Sequence, residues 1–242
     1  MAEPESGPGR LMEHERLHGA IRTALGGGPL AGKHVLVTSG PTHEPIDPVR
    51  YIAHRSSGKQ GHAIAAALAA LGARVTLVSG PVAQPDPPGV TMARVESARE
   101  MLAACEAALP ADAAICAAAV ADWRTARAAD RKMKKVPGEA PPPLELALNP
   151  DILATLAAAG PNRPRLVVGF AAETESVIDN AVAKRAKKGC DWIVANDVSG
   201  DVMGGAENAV HLVTDAGVED WPRMAKEEVA RRLAARIAEA LA

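Results

Sequence analysis

Short apolar runs alternate with amphipathic, alanine-rich segments along most of the chain. Runs of apolar and β-branched residues bounded by Gly or polar residues predict strands, and apolar residues three or four positions apart predict helices. The predicted strands are residues 34–39, 74–79, 113–117, 166–171, 192–195 and 208–213. The predicted helices are residues 59–71, 97–109, 150–158, 174–188 and 222–241. This alternation predicts a doubly wound, mostly parallel, Rossmann-like α/β sheet with helices on both faces.

Two segments depart from this rhythm. Residues 1–31 hold only a short helical pattern near residues 11–25 and end in Gly26-Gly27-Gly28-Pro29, which predicts a linker or tail before a domain at residues 32–242. Residues 123–148 lack apolar periodicity and are rich in basic residues and then in proline. A long insertion without structure of its own is usually functional or disordered, so we predict a mobile basic flap there.

Composition restricts the class of partner. The 242 residues include 27 Lys and Arg against 29 Asp and Glu, so nucleic acid is not indicated and small molecules are expected. Cys105, Cys116 and Cys190 have no CxxC spacing, which fits a reducing cytoplasm. The sequence contains no apolar run long enough to span a membrane, so no membrane partner is expected. The acidic, Gly- and Pro-rich start does not resemble a secretion signal.

The long loop after the first strand carries the strongest functional signal. Residues 40–52 lead into Ser56, Ser57 and Gly58 directly before a helix, where backbone N–H groups and the helix dipole favour an anion. The serines fit either a phosphate site or a simple helix cap. The glycines form neither GxGxxG nor a P-loop, and no acidic residue ends the second strand, which argues against a nicotinamide site.

Other candidates each have a second interpretation. Arg50 suits a carboxylate or phosphate, or a surface ion pair with Glu44 or Asp47. The 132–135 lysine run suits a lid over polyphosphate, or solvated charge. Asp122 suits Mg²⁺ or a ligand hydroxyl, or a helix cap or a hydrogen bond that fixes the loop. The remaining candidates are Asn149 as N-cap with Pro150 at the first helical position, and Lys184 and Lys188 near a helix end.

Seven motifs occur in a fixed order along the chain: GPTHEPIDPVRYI at 40–52, SSGKQG at 56–61, AAVADW at 118–123, KMKK at 132–135, NPDI at 149–152, GFAAET at 169–174 and AND at 195–197. Together and in this order, they closely resemble phosphopantothenoylcysteine synthetase, which many bacteria fuse behind a flavin-dependent decarboxylase. The resemblance runs from about residue 32 to the carboxyl terminus.

The resemblance implies a two-step ligation. The carboxylate of 4'-phosphopantothenate attacks the α-phosphate of CTP and releases pyrophosphate, and cysteine's amine then displaces CMP. It also implies Mg²⁺, which neutralises charge, and a homodimer in which the neighbouring subunit supplies the lysine flap. The implied nucleotide-binding residues are Ser56, Ser57, Gly58, Asp122, Lys132, Asn149, Pro150, Asp151, Ile152, Phe170, Lys184 and Lys188. The implied phosphopantothenate or acyl-nucleotide contacts are Arg50, His54, Ala118 and Lys132, with His54 and Lys132 as the catalytic pair. A metal-binding role for Asp122 is an inference of our own.

One position departs from the family. The family asparagine four residues after the loop arginine aligns with His54, and we hypothesise that this slows or blocks the second step while the first is partly retained. Met1 to Glu5 resemble the end of the decarboxylase half, so we expect a synthetase half without bound FMN. The competing hypotheses are an NAD(P)-dependent oxidoreductase and a nucleotide-binding regulatory module without catalysis.

Overall fold

The computed structural model describes residues 27–135, 137, 138, 140, 142–197 and 207–242. The strands are His34–Ser39 (β1), His43–Asp47 (β2), Arg50–Ala53 (β3), Arg74–Ser79 (β4), Val90–Arg94 (β5), Ala113–Cys116 (β6), Trp123–Thr125 (β7), Leu146–Leu148 (β8), Leu166–Glu173 (β9), Trp192–Asp197 (β10), Glu207–Thr214 (β11) and Gly217–Ala225 (β12). The helices are Lys59–Ala70 (α1), Ala98–Ala107 (α2), Ile152–Ala157 (α3), Val177–Lys188 (α4) and Lys226–Leu241 (α5), with a 3-10 turn at Gly160–Asn162. The helical pattern predicted near residues 11–25 lies outside the described residues.

Eight strands form one mixed sheet in the order β12-β11-β10-β9-β6-β1-β4-β5. The strands from β10 to β5 are parallel, and β11 and β12 add an antiparallel edge. The predicted doubly wound fold is confirmed. In chain order, the sheet begins with β1, extends outward through β4 and β5, and continues on the other side of β1 with β6. The order therefore reverses between β1 and β6, where doubly wound sheets bind ligands.

The core follows the alternation of side chains along the strands. Val35 and Val37 face the layer of α1 and α5, whereas Leu36 faces α2 and α3. All three are fully buried, and each such side chain stabilises the fold by roughly 1.5–3 kcal/mol. Leu30 is also fully buried, and its N–H donates to the Leu71 carbonyl at 3.0 Å, so the packed region begins before residue 32.

The predicted start of the last helix was wrong. Residues 217–225 pair with β11 as an edge strand, and α5 begins at Lys226 instead of residue 222. Trp221 is buried on this strand, and Pro222 is tolerated because an edge strand leaves some N–H groups unpaired. The pattern also missed β5 and two small two-stranded sheets, β2–β3 and β7–β8.

The predicted flap is not structureless at its base. Trp123–Thr125 pairs with Leu146–Leu148 as an antiparallel ribbon. Both ends of the flap are thereby held close together beside the carboxyl end of β6. Among the described helices, none is long and apolar enough to cross a membrane.

Candidate active site

The loops after β1 and β6 are hydrogen bonded to each other at the switch point of the sheet. The Ala119 N–H donates to the Gly40 carbonyl at 2.8 Å, and the Ala121 N–H donates to Thr42 Oγ1 at 3.0 Å. The Ala118 N–H donates to Thr38 Oγ1 at 3.2 Å. Residues 118–121 are thus fixed against the loop that begins at Gly40, which places the implied ligand contact at Ala118 in the crevice.

The amino terminus of α1 is open to a ligand. Its N-cap, Gly58, has a φ of 72°, and no side chain caps the first turn. The Ser56 hydroxyl accepts from the Gly58 N–H at 3.3 Å instead of from the helix, so capping does not explain it. Within the part of the chain that the structure describes, no side chain accepts from the N–H groups of the first turn, and such open groups form the kind of site that binds phosphate.

A buried triangle fixes this loop to the end of β1. Ser39 Oγ donates to the Gly58 carbonyl at 3.0 Å, and His62 Nδ1 lies 3.0 Å from the same hydroxyl. Burial lowers the pKa of the His62 imidazole, so it stays neutral at physiological pH. Gly61 is required here because a Cβ would lie 2.4 Å from Ser39 Oγ.

Arg50 and Asp47 form an ion pair at the turn between β2 and β3. Arg50 Nε donates to Asp47 Oδ2 at 3.0 Å, and Nη2 approaches the same oxygen at 2.5 Å. The Arg50 guanidinium holds the pKa of the Asp47 carboxyl well below its usual range. The Asp47 side chain is fully buried, but the Arg50 side chain is 48% exposed, so the pair leaves arginine N–H groups available to an anion.

The flap lies along this hairpin. The Met133 N–H donates to Asp47 Oδ2 at 3.1 Å, and the Met133 carbonyl accepts from Arg50 Nη2 at 3.0 Å. Lys132 and Lys134 flank this residue; both are exposed and make no ion pair within the described part of the chain. The structure therefore brings Arg50 and the lysine run to the same edge of the domain.

His54 and Asp122 meet across the switch point. His54 Nε2 lies 3.7 Å from Asp122 Oδ2, with the two side chains 46% and 71% exposed. His54 follows β3 and Asp122 precedes β7, so the contact joins the hairpin to the base of the flap. Both groups remain accessible to a ligand.

Lys184 and Lys188 belong to a second group of charged side chains. Burial lowers the pKa of the Lys184 ammonium, and the carboxylates of Glu173, Asp122 and Asp151 partly oppose this shift. Lys188 Nζ binds Asp151 Oδ2. Partial burial is the largest single influence on the pKa of Asp151 and raises it, but the bonds with Lys188 and the Ala154 N–H and the charges of Lys188 and Lys184 together lower the pKa overall. The Asp122 carboxylate therefore acts electrostatically on Lys184 and also lies beside His54.

The predicted cap of α3 was misassigned. Asp151, not Asn149, is the N-cap, and its Oδ1 accepts from the Ala154 N–H at 3.0 Å; Ile152 is the first helical residue. Asn149 Nδ2 instead donates to the Ala121 carbonyl at 2.8 Å. That bond fixes the amide orientation, since a flipped amide would face oxygen with oxygen. It leaves Asn149 Oδ1 buried without a hydrogen-bond partner among the described residues.

The two charged groups do not touch directly. Within the described residues, no hydrogen bond or ion pair joins Arg50 and Met133 to Lys184 and Lys188. Phe170 lies half-buried in β9 opposite Val194, and its ring packs toward the core. Pro150 and Ile152 position Asp151 but offer no polar side chain.

Several structural partners were missed in the sequence. Asp47 organises the hairpin, and the buried Glu44 carboxylate accepts from the Ala98 N–H at 2.9 Å, which ties β2 to α2. The Asp47-Pro48 pair is a turn signal that could have located the hairpin, because Asp at the first and Pro at the second position favour a type I turn. No local pattern indicated that Glu44 would be buried.

A cavity of about 550 Å³ lies at the opposite edge of the sheet. It is lined by His34, Arg74, Thr76, Ala93, Ala104, Ala107, Ala108, Leu109 and Pro110. His34 Nδ1 pairs with the Pro110 carbonyl at 2.9 Å and Nε2 with Thr76 Oγ1 at 2.9 Å, so both ring nitrogens are satisfied. The imidazole of this cavity therefore has no nitrogen left to bind a ligand, and we place the candidate site at the carboxyl edge of the sheet instead.

The described residues contain no group of three or more His, Cys, Asp or Glu side chains arranged to hold a metal ion. Asp122 is a single exposed carboxylate. Mg²⁺ commonly uses one or two protein carboxylates with substrate phosphates and water, so Asp122 fits such an ion but not a protein-only metal centre. Burial raises the pKa of the nearby Cys116 thiol well above its usual value, so this cysteine is not a nucleophile.

The switch-point crevice, the uncapped helix and the surrounding cations define a doubly wound α/β domain built to bind an anionic small molecule. Residues 30–241 match the DNA/pantothenate metabolism flavoprotein C-terminal domain family, and the chain belongs to that family.

Its curated relatives are longer proteins. The chain is 44% identical over 223 residues to the coenzyme A biosynthesis bifunctional protein CoaBC of Vibrio vulnificus (strain CMCP6), covering 91% of this chain and 55% of that protein. It is 48% identical over 198 residues to CoaBC of Escherichia coli (strain K12), covering 80% of this chain and 48% of that protein. The chain thus spans about half the length of these relatives.

The solved structures agree. The crystal structure of the C-terminal domain of a coenzyme A biosynthesis bifunctional protein CoaBC superposes with a TM-score of 0.74 at 39% identity. The match covers 88% of this chain and 98% of that domain. Both the fold and the family are those expected from the motifs.

Proposed function

We propose that this chain is a phosphopantothenate–cysteine ligase that uses CTP and acts in coenzyme A biosynthesis. The observation that carries the proposal is that four cations and the open N–H groups of α1 lie around the switch point, within the motifs that resemble the synthetase. Arg50 and Lys132 are exposed, and Lys184 and Lys188 are half-buried. Their charge suits a phosphorylated substrate and a nucleoside triphosphate.

The chemistry requires activation of a carboxylate. A carboxylate is a poor electrophile at neutral pH, so it must first be activated. The carboxylate of 4'-phosphopantothenate attacks the α-phosphate of CTP, which forms an acyl-cytidylate and releases pyrophosphate. The amine of cysteine then attacks the acyl carbon, and CMP leaves with the bonding electrons as the amide forms. The protein's main tasks are to position the reactants and to neutralise charge.

The residues divide by location. Arg50, Ala118 and Lys132 would hold phosphopantothenate, since Arg50 is half-exposed and Ala118 lines the crevice. Ser56, Ser57 and Gly58 would receive a phosphate at the open end of α1. The nucleotide would lie toward Asp122, Lys184 and Lys188 and the 149–152 segment.

Asn149 offers a specific reason to favour a base that carries an amino group. Its unpartnered Oδ1 is a buried acceptor at the edge of the crevice. The exocyclic amine of cytosine is a suitable donor, whereas uracil presents an acceptor at that position. Leaving such an acceptor unpaired carries a free-energy cost, which a cytosine ligand would remove.

Mg²⁺ fits the site through Asp122, as described above. When bound, the ion would neutralise the charge that develops on the triphosphate. Lys184 and Lys188 would complement it from the protein side, because lysine acts as a compact positive charge.

His54 is the residue at which we expect a difference from the family. Its imidazole lies beside Asp122, where the family carries asparagine, so it alters the hydrogen bonds available to the acyl-cytidylate. His54→Asn should therefore speed conversion of the intermediate to the amide. His211→Asn is a matched control because His211 pairs with Asp220 at 2.5 Å on the distant edge strands. Equal amide formation by the wild type and His54→Asn would contradict the hypothesis.

We also propose a homodimer. Exposed apolar side chains cover the hairpin and the ribbon: Val49, Tyr51, Trp123, Leu146 and Leu148. A hydrogen bond of 2.7 Å from Thr125 Oγ1 to the Pro45 carbonyl joins these two elements, so the surface is continuous. A second copy of the chain would cover it, and the hairpin with its docked flap would then border the neighbouring site as one unit. Leu148→Glu should sediment as a monomer, whereas Val218→Glu, at an exposed position on β12, should not change the sedimentation.

The bifunctional CoaBC relatives, which are about twice as long as this chain, support a proposal about its native context. We propose a cytoplasmic enzyme that is natively fused to a flavin-dependent phosphopantothenoylcysteine decarboxylase, with small molecules as its other partners. The 242-residue chain by itself should bind no FMN. An absorbance band of flavin in the purified chain would contradict this expectation.

The decisive experiment is mass spectrometry of a reaction containing the protein, CTP, Mg²⁺ and 4'-phosphopantothenate, sampled before and after cysteine is added. Acyl-cytidylate followed by phosphopantothenoylcysteine establishes the ligase. Persistent acyl-cytidylate establishes the first step and locates the defect at His54. If neither forms although CTP raises the melting temperature, the chain is a nucleotide-binding module; stabilisation by NAD(P)H instead would favour an oxidoreductase.

A further inference from the structure

The Asp47 carboxylate is surrounded by donors from two separate segments. Oδ1 accepts from the N–H groups of Val49 at 2.8 Å and Arg50 at 2.9 Å. Oδ2 accepts from the Arg50 guanidinium and from the Met133 N–H at 3.1 Å. One oxygen therefore closes the hairpin turn, and the other joins the arginine to the flap.

The flap follows β2 residue by residue. Thr125 Oγ1 donates to the Pro45 carbonyl, the Ala129 N–H donates to the Ile46 carbonyl at 2.9 Å, and the Met133 N–H donates to Asp47. Three flap donors spaced four residues apart thus contact three consecutive residues of one strand. The segment is held along a defined path up to Met133, directly after Lys132.

The contacts around Asp47 Oδ2 form a closed ring. Arg50 Nη2 donates both to that oxygen and to the Met133 carbonyl, while the Met133 N–H returns to the same oxygen. The ring uses Arg50 Nε and Nη2. Within the described residues Nη1 has no partner, so this nitrogen stays available to an anion.

We propose that Asp47 is a positioning residue that joins the Arg50 guanidinium and the lysine flap into one anion-binding unit. The inference rests on the proposed function for the identity of the anion, phosphopantothenate. Asp47 is buried beneath the ring and does not touch the substrate; it acts through Arg50 and Met133. Binding energy at Arg50 is thereby coupled to the position of Lys132.

Asp47→Asn separates the two roles of the carboxylate. The amide oxygen can still accept from the turn N–H groups, as Oδ1 does. The amide nitrogen that replaces Oδ2 cannot accept from the guanidinium or from the Met133 N–H. The hairpin should remain closed while the ring opens.

The first measurement is steady-state kinetics with each substrate varied in turn. Losing hydrogen bonds to a charged group should raise the KM for phosphopantothenate about 10- to 100-fold in Asp47→Asn, with the KM for cysteine changed less than about twofold. Asp220→Asn is the matched control, because Asp220 pairs with His211 at 2.5 Å on the edge strands β11 and β12, away from the site. It should change neither constant.

The second measurement follows the flap directly. Arg131 and Lys132 are exposed trypsin sites beside the ring. Cleavage there should be about 10-fold faster in Asp47→Asn than in the wild type, since docking at Met133 is lost. Met133→Pro removes the flap donor but leaves the Asp47–Arg50 pair, and it should raise the KM for phosphopantothenate in the same direction.

The outcomes separate this inference from the proposed function. If the wild type makes no product, the proposed function fails, and the cleavage rates alone decide whether Asp47 holds the flap. Unchanged cleavage and unchanged KM in a folded Asp47→Asn protein would overturn the inference. A lower melting temperature with wild-type KM and wild-type cleavage would also overturn it, because Asp47 would then serve only the hairpin turn.

Discussion

The two edges of the central sheet hold similar residues, but the polar groups are hydrogen bonded at the amino edge and open at the carboxyl edge. At the amino edge, both ring nitrogens of His34 are hydrogen bonded, and Asp112 accepts the His34 backbone N–H at 2.7 Å. At the carboxyl edge, His54 and Asp122 are 3.7 Å apart and exposed. A cavity of about 550 Å³ lies at the amino edge, yet the His34 and Thr76 side chains that line it are already hydrogen bonded. Open hydrogen-bonding capacity, more than volume, distinguishes the candidate site.

The largest effect should come from Lys132, which has no partner in the described structure. Lys132→Ala should lower kcat about 10²- to 10³-fold, because it removes a positioned charge that stabilises the developing anion. The measurement is pyrophosphate release. Arg127→Ala, an exposed flap residue outside the site, is the control, and an equal loss there would show that general flap charge is responsible.

Asn149 tests whether an unpaired buried acceptor marks the nucleotide subsite. Asn149→Ala should raise the KM for CTP about 10-fold, since the base amine loses its acceptor. The KM for UTP should rise less than the KM for CTP, so the preference for CTP over UTP should decrease. Asn162→Ala, on the exposed 3-10 turn, should leave nucleotide preference unchanged. An unaltered CTP-to-UTP ratio in Asn149→Ala would exclude base recognition by this side chain.

At the amino edge we expect the opposite result: a substitution of His34 should lower stability and leave catalysis unchanged. His34→Leu should lower the free energy of unfolding by about 1–3 kcal/mol, because the Pro110 carbonyl and the Thr76 hydroxyl lose their partner. Urea denaturation measures this cost. The kinetic constants of the folded fraction should match the wild type, and a loss comparable to that of Lys132→Ala would break the contrast between the edges.

The smallest effect concerns Asp151 and Lys188, a partly exposed pair. The pKa of Asp151 is lowered in the folded state, so its stabilisation is present above the ordinary aspartate pKa of about 3.9 and is lost as the pH falls through the folded value. Asp151→Asn should remove that part of the acid dependence, worth at most about 1 kcal/mol given solvent screening. Unfolding curves between neutral and acidic pH provide the measurement. An unchanged acid slope would show that the pair contributes nothing.

Prediction from sequence succeeded where a local pattern sets the outcome. The strand at 34–39 and the helix starting at residue 59 were predicted correctly, because apolar periodicity and flanking glycines act within a few residues. It failed at residues 217–225, where Pro222 suggested a helix start but pairing with β11 made an edge strand. It also missed the β2–β3 hairpin, whose stability depends on the flap and α2.

For the site, the motifs placed the loop at 40–58 and the segment at 118–122 on the two strand ends that meet at the switch point. Chain order and the handedness of βαβ crossovers are enough for that, since both are local rules. Sequence alone could not show that Asp47 binds Met133, 86 residues away, or that Asn149 keeps an unpaired oxygen. Those facts depend on which groups from distant segments are buried together, and only the tertiary structure determines which hydrogen bonds are made and which remain open.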